Sequence, residues 1–308
     1  MVIRAIPAAV EKLSRNNGNS PQLAVNSAGD AVVVWRTFDE VAGIDQIQAR
    51  TQSSTGVLGP ILKLSDRKQT ASDPEVAINT AGDAAVIWRH FDGTHWRIQT
   101  RAVFAGGTLG DVRTLSKTTE DAISPHVTLD DGGNVLAVWQ GSNAQILARQ
   151  GTLSGEFGRF EIVAQADPAF APRFPGVGID AAGNALIVWS RNQEGAGGAP
   201  AIEARGRSAA GDYSDIETLS TTRGGSPVVA VQPSGTAVVA WVRFNGTVQL
   251  IEARRRFGGT FEPVQVISNP AHDSDAPGVR IGGNGEAIAV WDRQDSPGNV
   301  RIEAAQGP

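Results

Sequence analysis

Six of the seven tryptophans recur at a nearly constant interval along this chain of 308 residues. Successive members lie 50 to 53 residues apart, and each follows a proline by fourteen residues and a glycine by six. The six are Trp35, Trp88, Trp139, Trp189, Trp241 and Trp291. A fixed period of this length is typical of architectures that repeat one supersecondary unit.

Each copy of the repeat contains four short segments with the patterns of β-strands. After the proline, apolar residues such as Val76 and Ile78 alternate with others, which is the two-residue period of a strand. A glycine turn follows, and an apolar run such as Ala31–Trp35 then ends at the tryptophan, as expected for a strand covered on both faces. A third segment with an Ile-x-Ala-Arg pattern and a fourth ending in Leu-Ser complete the copy. Four antiparallel strands of this kind make one propeller blade.

The two ends of the chain complement each other. The sixth copy stops after its third strand, at Ala305, whereas the segment Ala8–Ser14 ends in Leu-Ser like the fourth strands of the other copies. We expect this N-terminal strand to complete the last blade and close the ring without a free edge. The sequence thus predicts an all-β, six-bladed β-propeller in one domain, 1–308. Its blades are expected at 21–73, 74–124, 125–174, 175–226, 227–276 and 277–308 plus 8–14.

These motifs resemble the tandem repeats of bacterial β-propeller proteins, many of them secreted and uncharacterised, and the resemblance covers essentially the whole chain. It implies the fold and hardly any function. The Ser-x-Asp-x-Gly-x-x-Trp box of sialidase-type propellers is absent from the sequence, and so is the Gly-His and Trp-Asp pattern of WD40 blades.

Composition narrows the classes of partner. A net charge of -5 and a pI of about 5.4 provide no general attraction for nucleic acid. The absence of cysteine excludes thiolate catalysis and cysteine-ligated metals, and no apolar run is long enough to span a membrane. Four lysines against 23 arginines are typical of a secreted protein from a GC-rich bacterium. We therefore expect an extracellular or envelope-associated monomer without a cofactor.

The loops between the second and third strands mark one face of the ring as functional. The spacing from the tryptophan to the next strand's isoleucine is 12, 10, 7, 13, 10 and 11 residues in the six copies, and such variation is typical of binding loops. Five arginines are expected on this face, just after the tryptophans: Arg36, Arg89, Arg191, Arg243 and Arg293. They are interpreted either as rim charges in ion pairs or as a channel mouth that binds a carboxylate or sulfate.

The loop of the second blade contains an aromatic residue that the repeat does not require. Trp96 has no counterpart in the other copies, and it lies near His90 and His95. An exposed aromatic in this position is suited to stacking on a sugar or anchoring a partner protein, with packing inside its own loop as the alternative. His90 and His95 are predicted to bind the ligand together with Trp96. A weak metal site shared by the two histidines is the less favoured interpretation, because their spacing matches no metal motif.

The third strands end in arginines that recur with the scaffold: Arg50, Arg101, Arg149, Arg205 and Arg254. Fucose-binding propeller lectins use Arg, Glu and Trp between neighbouring blades, so a ligand role is one interpretation. The other, which we prefer, is that these arginines pack along a neighbouring blade and pair with Glu or backbone carbonyls.

No catalytic motif is evident in the sequence. Asp130 and Asp180 lie at hairpin turns, where Asp is an ordinary turn former, and Tyr213 is expected on the face opposite the variable loops. The preferred hypothesis is a non-enzymatic recognition module that binds a glycan or a protein through the variable-loop face. The alternatives are a hydrolase or lyase with a polar pocket on the propeller axis, and a structural interaction domain. Carboxylates converging on the axis would favour the enzyme.

Overall fold

A computed structural model describes residues 12–15, 17–166, 170–193, 201–220, 223–296 and 298–307. Over these residues the chain forms six antiparallel sheets and no helix. In every sheet the strands lie in chain order, and the first strands of consecutive sheets contact one another from blade one to blade six. The sheets are the blades of a propeller, with their first strands around the central channel. The predicted fold, a six-bladed all-β propeller, is confirmed.

The strands of the first three blades are regular apart from short outer strands. Blade one contains β1 (Gly18–Val25), β2 (Ala31–Asp39), β3 (Ile44–Gln52) and β4 (Leu62–Lys63). Blade two contains β5 (Ala71–Ile78), β6 (Ala84–Phe91), β7 (Trp96–Val103) and β8 (Arg113–Thr114). Blade three contains β9 (Ala122–Leu129), β10 (Asn134–Gly141), β11 (Gln145–Thr152) and β12 (Glu161–Gln165).

The remaining blades repeat this order. Blade four contains β13 (Phe170–Ile179), β14 (Ala185–Gln193), β15 (Ala201–Arg207) and β16 (Tyr213–Ser220). Blade five contains β17 (Gly224–Val231), β18 (Ala237–Phe244) and β19 (Gln249–Phe257), and its outer strand is split into β20 (Thr260–Phe261) and β21 (Gln265–Val266). Blade six contains β22 (Asp273–Ile281), β23 (Ala287–Ser296) and β24 (Asn299–Gly307).

The repeating tryptophans form the core between blades. All six are at most 3% exposed, and they pack among the valines, isoleucines and alanines of adjacent sheets. In blades one to five the apolar run that precedes the tryptophan is largely buried, because the second strand has a neighbouring blade on both faces. In blade six, Ile288 and Val290 of β23 are 37% and 41% exposed, so the predicted cover on both faces is seen in five blades and not in the sixth. The strands extend past the tryptophan, as β2 does to Asp39.

The third-strand arginines bind backbone carbonyls, as preferred from the sequence. Arg101 donates from Nε to the Gly110 carbonyl at 2.7 Å, within its own blade, and from Nη1 to the Lys63 carbonyl of blade one at 3.1 Å. Arg205 makes the equivalent pair of bonds, to the carbonyls of Ser214 and Val163. The guanidinium groups of Arg101, Arg149 and Arg205 therefore join blades two, three and four to the blade before, whereas Arg254 binds the carbonyls of Glu262 and Phe261 in its own blade.

Every innermost strand contains a β-bulge directly before its proline. The residue at this position has a positive φ of 48° to 52° in all six blades: Ser20, Asp73, Ser124, Phe174, Ser226 and Ala276. A left-handed conformation costs a residue with a Cβ roughly 1–2 kcal/mol, and a bulge redirects the side chain that it displaces. The bulges lie where the inner strands begin, at the end of the channel that faces the variable loops.

The seam between the last and first blades is the place where the sequence predicts the N-terminal strand. Blade six has three strands within the described residues, and most of the segment Ala8–Ser14 falls outside them. Lys12 is described, and its carbonyl accepts a bond from Arg50 Nη1 at 3.0 Å, just as the Lys63 carbonyl accepts one from Arg101. Lys12 therefore lies beside blade one as the outer strand of a preceding blade would, and ring closure by this segment stays a prediction.

Candidate functional site

The residue that follows each inner-strand proline is polar in three consecutive blades and lacks a polar side chain in the other three. On blades one to three it is Gln22, Glu75 or His126, and on blades four to six it is glycine, valine or glycine. Inner strands in other respects share one pattern, so these polar side chains are departures from the repeat. Blades one to three therefore place hydrogen-bonding side chains at this position, and blades four to six do not.

Glu75 is the carboxyl group that lies on the axis. It is half-buried on β5, and its Oε1 accepts a hydrogen bond from Gln22 Nε2 of blade one at 3.1 Å. Burial raises the pKa of Glu75 to about 7; Arg280 of blade six acts in the opposite direction, and Asp73 adds to the increase. Side chains from blades six, one and two thus converge on this carboxyl group. A neutral glutamic acid near pH 7 is suited to donating a proton.

Asp73 is a second carboxyl group two residues earlier on the same strand. It occupies the bulge position, with φ 52°, and its side chain is 49% exposed at the mouth of the channel. Arg89 Nε lies 2.8 Å from Asp73 Oδ2 and also donates to Ser72 Oγ at 2.9 Å. The bulge and the arginine together hold this carboxylate beside Glu75 and open to solvent.

Trp96 extends this cluster outward along blade two. The guanidinium of Arg89 lies 4.4 Å from the Trp96 ring centre, and the Phe91 ring packs against Trp96 at 5.5 Å. The Trp96 amide donates to Asp121 Oδ1 at 2.7 Å. Trp96 is a strand residue, the first of β7, and is half-buried, so both packing and an exposed edge are present. A continuous row leads from Trp96 through Arg89 to the axial carboxyl groups.

The other arginines of the expected mouth are held in ion pairs away from this row. Arg36 donates to Asn19 and lies 3.6 Å from Asp45. In blades four, five and six the arginine two residues after the tryptophan pairs with a third-strand glutamate. These pairs are Arg191 with Glu203, Arg243 with Glu252, and Arg293 with Glu303. The structure therefore separates Arg89 from the other four candidates, because Arg89 forms an ion pair with Asp73.

Glu203 and Arg191 also line a cleft of about 330 Å³ between blades three and four, with Trp189 and Pro172. Both Glu203 oxygens are engaged, one by Arg191 at 2.9 Å and one by Trp189 Nε1 at 2.9 Å. The cleft is thus built around a satisfied ion pair, and it lies at a blade interface, apart from the axis.

The candidate histidines of blade two do not share a site. His90 is 6% exposed within β6, and burial lowers its pKa, whereas His95 lies beside Asp121 with Nδ1 to Oδ1 at 3.5 Å. Over the described part of the chain, no group of three or more His, Asp or Glu side chains is arranged to hold a metal ion. His126 on β9 is nearer the axis, and burial lowers its pKa to about 4, so it is neutral there.

Sequence reasoning missed the axial residues Asp73, Glu75 and Arg280. Alignment of the copies on their prolines places Glu75 where the other blades have Gln, His, Gly or Val, and this alignment was a usable signal. The acidic residues that were considered, Asp130 and Asp180, are turn formers in the structure: each accepts from the backbone amide four residues later, at 2.8 Å.

Comparison with known proteins supports the fold, and several of the similar structures are enzymes. No family model and no curated relative matches the chain. The α-L-arabinofuranosidase of Fusarium graminearum is similar in structure, with a TM-score of 0.63 at 11% identity over 94% of this chain and 93% of that one. A polysaccharide lyase has a TM-score of 0.61 at 10% identity over 94% of this chain and 77% of that one. A protein of unknown function from Dyadobacter fermentans has a TM-score of 0.54 at 12% identity over 95% of both chains.

These structures correct the preferred functional hypothesis. The sequence favoured a non-enzymatic recognition module and no catalysis, but propellers of the same architecture include glycoside hydrolases and a polysaccharide lyase. The enzyme alternative, with a polar pocket on the axis, has the better support. At this level of identity the likeness establishes the fold alone, and the resemblance to uncharacterised propellers is confirmed. Within the described residues there is no helix of a length and hydropathy suited to crossing a membrane.

Proposed function

We propose that this protein is an enzyme that hydrolyses glycosidic bonds at the axial site, with Glu75 as the proton donor and Asp73 as the second carboxyl group. The observation that carries the proposal is the convergence of these two groups, with different surroundings, at one mouth of the channel. Glu75 is half-buried and hydrogen-bonded to Gln22, whereas Asp73 is exposed and ion-paired with Arg89. Glycoside hydrolysis normally uses such a pair, one carboxyl group protonated and one ionised.

The proposed reaction assigns each group one task. Glu75 gives its proton to the glycosidic oxygen, the bond from that oxygen to the anomeric carbon breaks, and the leaving sugar departs as an alcohol. Water supplies the new oxygen on the anomeric carbon, and its proton passes to a carboxylate. Asp73 accepts this proton or stabilises the positive charge that develops on the sugar ring. Arg89 holds the Asp73 side chain in one orientation through their ion pair.

Blade two also supplies a surface for the rest of the substrate. Trp96 and Arg89 lie outward from Asp73 along the same blade, and an aromatic edge beside a guanidinium suits the apolar face and hydroxyls of a sugar. We propose that an oligosaccharide or polysaccharide runs from the axis over this row, which makes a glycan the partner. A polymeric glycan is consistent with the extracellular or envelope location expected from composition.

The test is cleavage of a polysaccharide panel that covers neutral and acidic backbones, followed by release of reducing ends and mass spectrometry. We expect Glu75→Gln to lower kcat by about 10²- to 10⁴-fold, the usual contribution of a positioned general acid. Glu156→Gln is the matched control, because Glu156 is 91% exposed and its ion pair with Arg113 lies outside the proposed site.

Full activity of Glu75→Gln, or no cleavage of any panel member by the wild-type protein, would contradict the proposal. Products with a new carbon–carbon double bond, detected by their ultraviolet absorbance, would identify a lyase instead of a hydrolase.

A further inference from the structure

Arg280 is a departure from the repeat at the axis. It lies on β22, the innermost strand of blade six, three residues after the proline. The equivalent residues of the other five blades are small: Ala24, Ala77, Thr128, Gly178 and Ala230. The scaffold therefore needs no long side chain at this position, and the exposed guanidinium of Arg280 requires another reason.

The alternation of β22 fixes the direction of this side chain. Val279, its neighbour, is 2% exposed and packs into the core shared with blade five. Side chains alternate between the faces of a strand, so Arg280 points away from blade five and toward blade one, where Gln22 and then Glu75 follow. Its charge acts on Glu75 in that position.

Arg280 has no acidic partner to neutralise it. Its Nη1 donates to the Val279 carbonyl of its own strand at 2.8 Å, and within the described residues it forms no ion pair. The carboxyl group that it faces is Glu75, and burial keeps that group protonated up to about pH 7. By contrast, Arg36, Arg89, Arg191, Arg243 and Arg293 each have an acidic partner. An exposed, uncompensated guanidinium with free donors matches an oxyanion, which it can bind bidentately.

We propose that Arg280 binds an acidic group of the substrate, so that the glycan acted on at this site carries carboxylate or sulfate groups. This inference rests on the proposed function, because it places the acidic sugar against the proposed proton donor. Arg280 lies four residues beyond the bulge of its strand, whereas Asp73 is at the bulge of its own, so the two groups would hold the sugar from different depths of the channel.

The experiment separates binding from cleavage. Calorimetry at pH 6 measures binding of three probes to the wild-type protein and to Glu75→Gln: an oligogalacturonate, the same oligosaccharide with its carboxyl groups reduced to alcohols, and a sulfated galactan oligosaccharide. We expect at least one acidic probe to bind, and the reduced probe to bind at least tenfold more weakly than the oligogalacturonate if carboxylate is the group recognised. Preference for the sulfated probe would assign sulfate instead.

Variants of Arg280 identify the residue responsible. Arg280→Ala should weaken binding of the acidic probe at least tenfold and leave the reduced probe unaffected, whereas Arg280→Lys should retain part of the affinity because it keeps the charge but loses the fork. The control is Arg113→Ala, which removes an arginine of the rim that is paired with Glu156 and should not change binding.

The outcomes distinguish this inference from the proposed function. Loss of acidic-probe binding in Arg280→Ala without any cleavage by the wild-type protein would support the acid-binding site and overturn the enzyme. Cleavage of neutral glycans that is unchanged in Arg280→Ala would support the enzyme and overturn the acid-binding site. Absence of binding to both acidic probes would also overturn it.

Discussion

At the scale of single residues, the axial site depends on how one carboxyl group is surrounded. Glu75 has the Gln22 amide as a hydrogen-bond donor, Asp73 on its own strand, and Arg280 across the channel. Burial disfavours the charged form more than Arg280 favours it, so the proton stays on Glu75 up to about pH 7. A group with this property changes both activity and stability over an accessible pH range.

The first prediction concerns the stability of Glu75→Gln as a function of pH. Unfolding returns Glu75 to water and its ordinary pKa of 4.5, so between that value and about 7 the unfolded chain releases a proton that the folded chain retains. This carboxyl group therefore lowers stability as pH rises from about 4.5 to 7, and its effect is constant above that. Glutamine cannot ionise, so the Tm of the variant relative to wild type should increase between pH 4.5 and 8. A difference that is constant with pH would contradict the raised pKa. If Glu75 is the proton donor, activity should fall over the upper part of this range.

The residues of this site were harder to predict than the fold, for a physical reason. The repeat reports what all blades need in common, whereas a single site requires residues that break the repeat, as Glu75 and Arg280 do. Inner strands also have blades on both sides, so polar and apolar alternation does not reveal which residues reach the channel. Trp96 and Arg89 were predicted as ligand-binding residues from the sequence because one has no counterpart and the other follows a tryptophan, and their role stays a prediction. Their contact across 4.4 Å required the structure.

At the scale of strands and blades, most blade-to-blade contacts are apolar, and one buried ion pair is an exception. Arg207 of β15 is 5% exposed, and its Nε and Nη2 reach the two Glu161 oxygens of β12 at 2.7 and 2.8 Å. Tyr213 donates its hydroxyl to Glu161 at 2.7 Å, and burial raises the pKa of this tyrosine. The cluster lies away from the variable-loop face, as expected for Tyr213 from the sequence. Its position between β12 and β15 assigns it to joining blades three and four.

The second prediction tests this junction with Glu161→Gln. The substitution preserves shape but leaves the Arg207 guanidinium buried without its counter-charge, which typically costs about 3–5 kcal/mol. Because Glu161 keeps some solvent contact, we expect the lower end of that range, measured by denaturant unfolding. Glu156→Gln removes a carboxylate from the exposed pair with Arg113 and should change stability by less than about 1 kcal/mol. Equal effects of the two substitutions would show that the Glu161 pair is no more than a surface ion pair.

The strands themselves were largely predictable, and the bulges were not. The Trp and Pro register, which is present in all six copies, gives the strand order, and the arginine contacts follow from a pattern present in five of them. The left-handed residue before each proline, such as Asp73, runs against the usual preference of that position for extended conformations. The bulge at Asp73 is seen in the structure, where the pairing of β5 with β6 shifts in register between Ser72 and Glu75.

At the scale of the whole molecule, the ring has one junction that differs from the others. Ile302 of β24 is 71% exposed, whereas its counterparts in blades one to five are 0% exposed beneath an outer strand: Ile47, Ile98, Ile146, Ile202 and Ile251. On the facing side, Leu23 and Val25 of β1 are 51% and 54% exposed. Apolar residues on both sides of one seam need a cover, since exposed apolar edges promote association. The segment Ala8–Ser14 has the sequence of that cover, and the Lys12 carbonyl already binds Arg50.

The last prediction tests whether the N-terminal segment closes the ring. Deleting residues 1–14 should lower the Tm markedly, because blade six loses its outer strand and Ile302 and Arg50 lose their partners. A permuted chain that carries residues 1–14 after Pro308 through a short flexible linker should recover most of the lost Tm, since it supplies the same strand to the same edge. Ile302→Ala should then cost stability in the full chain and little in the deletion, because a side chain that is already uncovered leaves no cavity when it is shortened. A deletion whose Tm stays within a degree or two of the full chain, or a permuted chain no more stable than the deletion, would show that blade six is completed in another way.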